Sequence, residues 1–147
     1  MKNSIMFFVF VGLSGSALSR SLITKRNIFQ FGLMIYELTG RIPLDFNNYG
    51  HYCGFGGSGT PLDSIDKCCN DHDHCYENIE PECSPFAGTI GFLLARKYYF
   101  TIVNKTIICE EKNTHCDALL CQCDAAITEC FRKNIDSFNN YKRFLVT

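Results

Sequence analysis

The stretch Asp66-Lys-Cys-Cys-Asn-Asp-His-Asp-His-Cys-Tyr76 decides the fold of this chain. Its cysteines Cys68 and Cys75 are seven residues apart, which is two helical turns, so they share one face of a helix. His72 lies between them, one turn from each, and therefore faces the same side. We expect this helix to span residues 61–78, since a proline at its start suits a first helical turn.

A second region repeats this cysteine spacing. Cys116, Cys123 and Cys130 are also seven residues apart, and we expect a helix over residues 116–134. Two helices with cysteines on matching faces can be joined side by side by disulfides. Such bridges compensate for a hydrophobic core that is too small to hold the domain alone.

His72 is a candidate general base. Asp124 follows Cys123 on the partner helix, where its carboxylate could bind one ring N–H of His72 and leave the other nitrogen free to accept a proton. A histidine on a helix is more often structural, but its position between two bridging cysteines favours the catalytic interpretation. No Gly-x-Ser-x-Gly motif is present, so the nucleophile of a hydrolase would be a water activated by His72 and aided by a metal.

The loop Tyr52-Cys-Gly-Phe-Gly-Gly-Ser-Gly59 is too rich in glycine for a regular helix. A bridge between Cys53 and Cys69 would hold this loop beside the carboxylate of Asp73. Backbone carbonyls together with carboxylate oxygens are the ligands that Ca²⁺ prefers. The loop lacks the Gly-Lys-Ser/Thr ending of a phosphate-binding loop, and the 12-residue EF-hand pattern is absent. Zinc binding by the cysteines and histidines of residues 68–75 is a weaker alternative, because an oxidising compartment favours disulfides.

The N-terminus predicts secretion. Lys2 precedes an apolar run of about nine residues and then small residues, which indicates a signal peptide over residues 1–19. The pair Lys25-Arg26 predicts a propeptide over residues 20–26, with a solvated charge pair as the alternative. The domain would then be residues 27–147, and its ten cysteines suit five bridges.

The predicted mature chain is acidic. Removal of four basic residues leaves 10 basic and 15 acidic side chains, a formal net charge of −5. This balance argues against a nucleic-acid partner and predicts weak attraction to anionic lipid.

Two further elements flank these motifs. Residues 27–38 read as a helix with Ile28, Phe31, Ile35 and Leu38 on one face, while Phe29, Leu33 and Met34 are expected to offer apolar contacts to a lipid surface. Residues 97–108 are β-branched and aromatic around a turn at Asn104-Lys105, which predicts a small hairpin. Asn104-Lys105-Thr106 is also a glycosylation sequon, although sequons are often unused.

Two long motifs carry a resemblance to a known family. Tyr49-Gly-His-Tyr-Cys-Gly-Phe-Gly-Gly-Ser-Gly59, followed by the stretch from Asp66 to Tyr76, closely resembles the secreted, calcium-dependent, low-molecular-weight phospholipase A2 family over residues 27–133. The resemblance implies a mainly α, disulfide-rich fold: two antiparallel disulfide-linked helices, an N-terminal helix, a calcium-binding loop and a small β-wing. It implies hydrolysis of the sn-2 ester of glycerophospholipids at an extracellular membrane or micelle surface, which releases a fatty acid and a lysophospholipid.

The resemblance also implies roles for individual residues. His72 would be the base and Asp124 its orienting carboxylate, with Tyr76 and Tyr98 bonded to the aspartate. Ca²⁺ would be held by the carbonyls of Tyr52, Gly54 and Gly56 and by the Asp73 carboxylate, and the Gly54 N–H would help to stabilise the oxyanion. The acyl-chain channel would be walled by Ile28, Phe31 and Ile35. The implied bridges are Cys53–Cys69, Cys68–Cys130, Cys75–Cys123, Cys83–Cys116 and Cys109–Cys121.

The chain departs from the commoner family pattern at a few positions. His51 stands where that pattern has a cysteine, and the partner cysteine near the C-terminus is also missing. Glu37 and Ile102 occupy places that some subgroups fill with another bridge.

Two other functions fit the sequence less well. A non-enzymatic relative that acts as a toxin, receptor ligand or matrix protein usually has a change at His72 or Asp73, and both are intact. A protease inhibitor or growth-factor-like scaffold shares only the cysteine density. The oligomeric state is not predicted.

Overall fold

The computed structural model describes residues 27–83 and 96–143. The predicted signal peptide and propeptide lie outside the described residues. The elements, in chain order, are helix α1 (Asn27–Thr39), a 3-10 turn (Pro43–Asp45), helix α2 (Ser64–Cys83), strands β1 (Phe100–Val103) and β2 (Thr106–Cys109), helix α3 (His115–Asn134) and 3-10 turns at Ile135–Ser137 and Asn140–Lys142.

Helices α2 and α3 are antiparallel and joined by three disulfides. As α2 is followed from Cys68 through Cys75 to Cys83, the partner cysteine moves from Cys130 back to Cys116, by way of Cys123. The other two bridges tie Cys53 to Cys69 and Cys109 to Cys121. All five pairings are those implied by the family resemblance, and both the pairing and the mainly helical fold class are confirmed.

Helix α2 differs from its prediction at both ends. It begins at Ser64 rather than at Pro61, because the Asp63 carboxylate caps it by accepting a hydrogen bond from the backbone N–H of Asp66 at 2.9 Å. It continues past Pro81, whose missing N–H removes one helical hydrogen bond, to Cys83. The bridge from Cys83 to α3 secures this last turn.

The β-wing is a hairpin whose strands are joined by a two-residue turn. Phe100 pairs with Cys109 and Val103 pairs with Thr106, so Asn104-Lys105 forms the turn, as predicted. The paired strands begin at Phe100 rather than at residue 97. The side chain of Phe100 is buried in a core cluster that also contains Met34 of α1, Tyr76 of α2 and Leu120 of α3.

The core has two clusters, and α1 contributes to both. Met34 belongs to the cluster beneath the β-wing, whereas Ile35 belongs to a cluster with Phe46 and Ile127. Met34 has no exposed surface, so the prediction that it contacts lipid is wrong. Its sulfur atom lies beside the Tyr98 hydroxyl instead. The prediction of one apolar face holds only for the C-terminal part of α1, because Ile28 is 54% exposed.

Within residues 27–83 and 96–143, no helix combines the length and the apolar character that a bilayer span requires.

Candidate active site

His72 and Asp124 face each other across the helix pair. The His72 Nε2 atom lies 2.9 Å from the Asp124 Oδ1 atom, and the aspartate side chain is fully buried. The Cys75–Cys123 bridge lies one turn from His72 along α2 and next to Asp124 on α3. The disulfide seam therefore fixes the distance between the imidazole and the carboxylate before any ligand binds.

Two tyrosine hydroxyls complete the surroundings of Asp124. The Tyr98 hydroxyl donates a hydrogen bond to Oδ2 at 2.6 Å, and the Tyr76 hydroxyl donates one to Oδ1. Burial, followed by the charge of Asp124, raises the pKa of Tyr98 far above its usual value, so this phenol stays a hydrogen-bond donor. A buried carboxylate that accepts several hydrogen bonds is compensated for the loss of water.

The ring of His72 is also positioned by aromatic contacts. Phe31 of α1 stacks on it with ring centroids 5.1 Å apart, and Tyr76 packs against it at 4.2 Å. Because Nε2 is engaged with Asp124, the proton on this nitrogen leaves Nδ1 as the acceptor. The imidazole therefore has the orientation and tautomer that a general base needs.

The glycine-rich loop is organised by a residue that the sequence did not single out for this role. The Asp66 carboxylate is fully buried and accepts hydrogen bonds from the backbone N–H groups of His51, Tyr52 and Leu62 at 2.8–2.9 Å. Gly50 has a φ of +61°, and a Cβ there would lie 2.3 Å from the Asp66 Cγ atom. A glycine is therefore required for the loop to approach this carboxylate so closely.

Further contacts hold the same loop against α2. The Cys53–Cys69 bridge joins the loop to the helix, and the Tyr52 hydroxyl donates to the carbonyl of Gly59 at 2.7 Å. Gly54 and Gly56 both have positive φ, at 143° and 72°. The proposed carbonyl ligands thus belong to a loop whose backbone is bent in ways that most other residues resist.

Asp73 lies next to His72 in the chain, and its carboxylate is half-buried. Burial raises its pKa to about 6, although the charge of His72 opposes this effect. Among the described residues, no hydrogen-bond donor or cation contacts this carboxylate. A bound cation would supply the missing compensation.

The residues present fit a calcium ion better than a zinc ion. The zinc alternative at residues 68–75 fails because Cys68, Cys69 and Cys75 are all in disulfides. In the described ranges, no group of three or more His, Cys, Asp or Glu side chains could hold a metal. The Asp73 carboxylate together with backbone carbonyls of the glycine-rich loop would form an oxygen-only ligand set, which is typical of Ca²⁺.

The three residues expected to wall an acyl-chain channel have different surroundings. Phe31 contacts the His72 ring, Ile28 lies at the exposed start of α1, and Ile35 is buried in the core. Only Phe31 of the three is in ring contact with the candidate base.

Gln30 is a second positioning residue, and its contact with Tyr98 was not anticipated from the sequence. Its buried carboxamide donates to the carbonyl of Tyr98 and accepts from the Tyr98 N–H at 3.3 Å. These two bonds connect α1 to the tyrosine that holds Asp124. A lone glutamine in an otherwise apolar helix start was the available signal.

His51, which stands where the commoner family pattern has a cysteine, lies in a loop that is held by hydrogen bonds. The His51 Nδ1 atom lies 2.7 Å from the carbonyl oxygen of Thr60, and the N–H of Gly50 donates to the carbonyl of Lys142 at 3.0 Å. The ammonium of Lys142 also pairs with Asp63 at 2.8 Å. The C-terminal segment is therefore joined to the loop without a covalent bond.

Comparison with known proteins gives consistent matches over most of the chain. The family model described as Phospholipase A2 matches residues 28–143. Basic phospholipase A2 VRV-PL-VIIIa of Daboia russelii is 40% identical over 114 residues, 77% of this chain and 86% of that protein. Basic phospholipase A2 ammodytoxin A of Vipera ammodytes ammodytes is 42% identical over 124 residues, 81% and 83% of the two chains. Phospholipase A2 SSD1043 of Scolopendra dehaani is 35% identical over 142 residues, 95% of each chain.

Proposed function

This chain belongs to the secreted phospholipase A2 family, and from that premise we propose that it cleaves the sn-2 ester of glycerophospholipids with a calcium-assisted, histidine-activated water. It is a phospholipase A2 enzyme and acts on phospholipids. The observation that carries the finer proposal is the buried contact of 2.9 Å between His72 Nε2 and Asp124 Oδ1. Asp73, the next residue after His72 in the chain, has a half-buried carboxylate with no hydrogen-bond donor or cation in contact among the described residues.

The proposed reaction begins with a proton transfer to His72. Its Nδ1 atom accepts a proton from a water molecule as the water oxygen attacks the carbonyl carbon of the ester. The Asp124 carboxylate stabilises the imidazolium that forms, and the hydrogen bonds from Tyr76 and Tyr98 hold that carboxylate in place. The same proton is then given to the departing glycerol oxygen, which leaves a fatty acid and a lysophospholipid.

Calcium would be held by the carbonyls of Tyr52, Gly54 and Gly56 and by the carboxylate of Asp73. When bound, the ion supplies positive charge that polarises the ester carbonyl. The Gly54 N–H belongs to the same loop and would donate to the oxygen that becomes negative. The Asp66 carboxylate supports this set by fixing the backbone at His51 and Tyr52.

The substrate would be met at an aggregated lipid surface. Ile28 and Phe29 at the start of α1 and Phe55 of the loop are more than half exposed, and Phe55 reaches 84%. Two of the relatives are named basic, whereas residues 27–147 of this chain carry a formal charge of −5. We therefore expect apolar contact with zwitterionic bilayers and micelles rather than attraction to anionic lipid.

The proposal includes secretion and activation by cleavage after Arg26. The signal peptide would be residues 1–19 and the propeptide residues 20–26. A free amino group at Asn27 would anchor the start of α1, where Gln30 is already bonded to Tyr98. An uncleaved precursor should then act poorly on bilayers but still hydrolyse monomeric lipid slowly.

The activation step is tested with a Lys25→Ala, Arg26→Ala precursor that is confirmed to be uncleaved. Its vesicle activity should fall well below that of residues 27–147 and its Ca²⁺ affinity should not change. Equal vesicle activity would show that residues 20–26 are only a spacer.

The reaction is tested with phosphatidylcholine that carries different acyl chains at its two positions. Only the sn-2 acid should be released, release should stop on chelation, and Ca²⁺ but not Zn²⁺ should restore it. Release of the sn-1 acid, or full activity in chelator, would contradict the proposal.

A further inference from the structure

The tip of the β-wing is the most exposed part of the hairpin. Asn104 and Lys105 form the two-residue turn with φ values of 50° and 63°, and residues 103–106 are all exposed. A two-residue turn with positive φ at both positions matches the right-handed twist of its strands, and asparagine adopts such angles readily. The asparagine is therefore displayed at the end of a well-defined turn.

The side chain of Asn104 is free to react. In the part of the chain that the structure describes, its carboxamide makes no hydrogen bond. The neighbouring Lys105 instead contacts the protein, because its ammonium donates to the carbonyl of Glu37 at 2.7 Å. Asn104-Lys105-Thr106 is also the one Asn-x-Ser/Thr sequon in the whole sequence.

We propose that Asn104 carries an N-linked oligosaccharide that covers the outer face of the β-wing. This modification is separate from the proposed hydrolysis of phospholipids and requires only that the chain passes through the secretory pathway. The donor is a lipid-linked oligosaccharide pyrophosphate. The Asn104 Nδ2 atom forms a bond to C1 of the first sugar and loses a proton, while the bond between C1 and the pyrophosphate oxygen breaks and the lipid pyrophosphate leaves.

The outer face of the β-wing exposes apolar side chains that an oligosaccharide would cover. Side chains alternate along each strand, so Val103 and Ile108 lie on one face while Ile102 and Ile107 pack towards the core. Val103 is 39% exposed and Ile108 is 47% exposed. The described sheet has only two strands, so each strand has an unpaired edge beside this apolar face, which is a feature that promotes association. A bulky hydrophilic group at the tip would block it.

The position of the tip separates the oligosaccharide from the proposed lipid-binding end of α1. Lys105 reaches Glu37 near the C-terminal end of that helix. Ile28 lies nine residues earlier, which is about 13 Å along the helix axis. The modification should therefore leave hydrolysis unchanged.

Occupancy is tested by secreting the full chain from eukaryotic cells and measuring its mass before and after peptide N-glycosidase treatment. The wild type should lose the mass of one oligosaccharide. Asn104→Asp, which suits the turn, and Thr106→Ala should be secreted without it, while the control Thr106→Ser keeps the sequon and should be modified. An unmodified wild type would overturn the proposal.

The covering role is tested by comparing self-association at equal concentration. Enzymatic removal converts Asn104 to aspartate, so the treated wild type and Asn104→Asp are the same protein by two routes. Both should self-associate more than the glycosylated form, with equal turnover of monomeric short-chain substrate. Val103→Thr with Ile108→Thr in the Asn104→Asp background should reverse the association. Unchanged association after removal would show that the oligosaccharide does not cover this face.

Discussion

The helix pair that carries His72 and Asp124 and the loop that carries the proposed calcium ligands are held in place differently. Three disulfides join α2 to α3 along their length. The loop has one disulfide, and the rest of its support comes from the Asp66 carboxylate and from contacts with the C-terminal segment. The proposed proton-transfer groups and Asp73 thus lie on helices that disulfides join, whereas the proposed carbonyl ligands lie on a loop that is held largely by hydrogen bonds. Changes at the two regions should consequently separate catalysis from calcium binding.

Asp73→Asn should have the largest effect, because it removes the one charged ligand of the proposed calcium site. Calcium binding at micromolar to millimolar concentrations should be abolished, and hydrolysis with it. Isothermal titration and a vesicle assay measure the two losses. Asp71→Asn, at an exposed carboxylate two residues away, is the matched control and should behave as wild type. Calcium binding by Asp73→Asn would contradict the assigned ligand.

His72→Ala should remove catalysis and keep calcium binding. Loss of a general base lowers the rate by about 10²–10⁴-fold, and the metal ligands are separate groups. His74→Ala, at an exposed neighbouring histidine, serves as the control with near wild-type turnover. Turnover of His72→Ala close to the wild-type rate would remove His72 from the mechanism.

Calcium affinity should fall in acid because Asp73 must be ionised to bind the ion. Burial raises the pKa of Asp73 to about 6, so the affinity should be nearly constant above pH 7 and decrease about tenfold per pH unit below about 6. The same raised pKa means that Asp73 stabilises the metal-free fold at low pH, and that this contribution is lost as the pH rises through about 6.

Calcium titrations at pH 7.5 and pH 5 test this dependence. Melting of the metal-free protein, compared with Asp73→Asn over the same range, isolates the contribution of this one group. Equal calcium affinity at both pH values would contradict the assignment.

Asp66→Asn should loosen the loop and leave the helix pair intact. A neutral amide cannot accept the hydrogen bonds from His51, Tyr52 and Leu62 as the carboxylate does, and we expect a loss of stability of about 1–3 kcal/mol. Calcium affinity should be lower than in the wild type. Turnover of monomeric lipid at saturating calcium should recover, since the distance between His72 and Asp124 is set elsewhere. No recovery would show that the two regions are coupled.

Lys142→Met should have the smallest effect and tests the non-covalent C-terminal attachment. Burial would raise the pKa of Asp63, but hydrogen bonds from the Asp66 N–H, Lys142 and Tyr49 hold it below its usual value. The partly exposed ion pair with Lys142 contributes about 0.5–1 kcal/mol. The melting temperature should drop by about 1–4 °C, less so in high salt. Lys133→Met, at an exposed position, is the control, and an equal drop there would exclude a specific role for the ion pair.

Cysteine spacing made most of this fold predictable. Cysteines seven residues apart on two helices indicated that disulfides join the helices side by side, and the family resemblance implied all five individual pairings. The same spacing placed His72 and Asp124 on the facing sides of the two helices. His72 lies one helical turn from Cys68 and from Cys75, and Asp124 directly follows Cys123 in the sequence.

The sequence could not give the features that depend on three-dimensional packing. The start of α2 is set by a capping contact of Asp63 rather than by the nearby proline. Met34 and Ile35 are adjacent yet belong to different core clusters, which helical periodicity alone does not distinguish. The carboxylate of Asp66 accepts hydrogen bonds from loop N–H groups 14 and 15 residues away in the chain, which no local sequence pattern indicates.

The order of the disulfides along the chain has a consequence for resistance to proteases. The Cys53–Cys69 loop overlaps the Cys68–Cys130 loop, so every peptide bond from Cys53 to Cys130 lies inside at least one closed ring. A single proteolytic cut anywhere in that interval leaves two pieces that remain linked. Helix α1 and the C-terminal segment lie outside all the rings, so a cut beyond either end of the interval releases a fragment that only packing and hydrogen bonds retain.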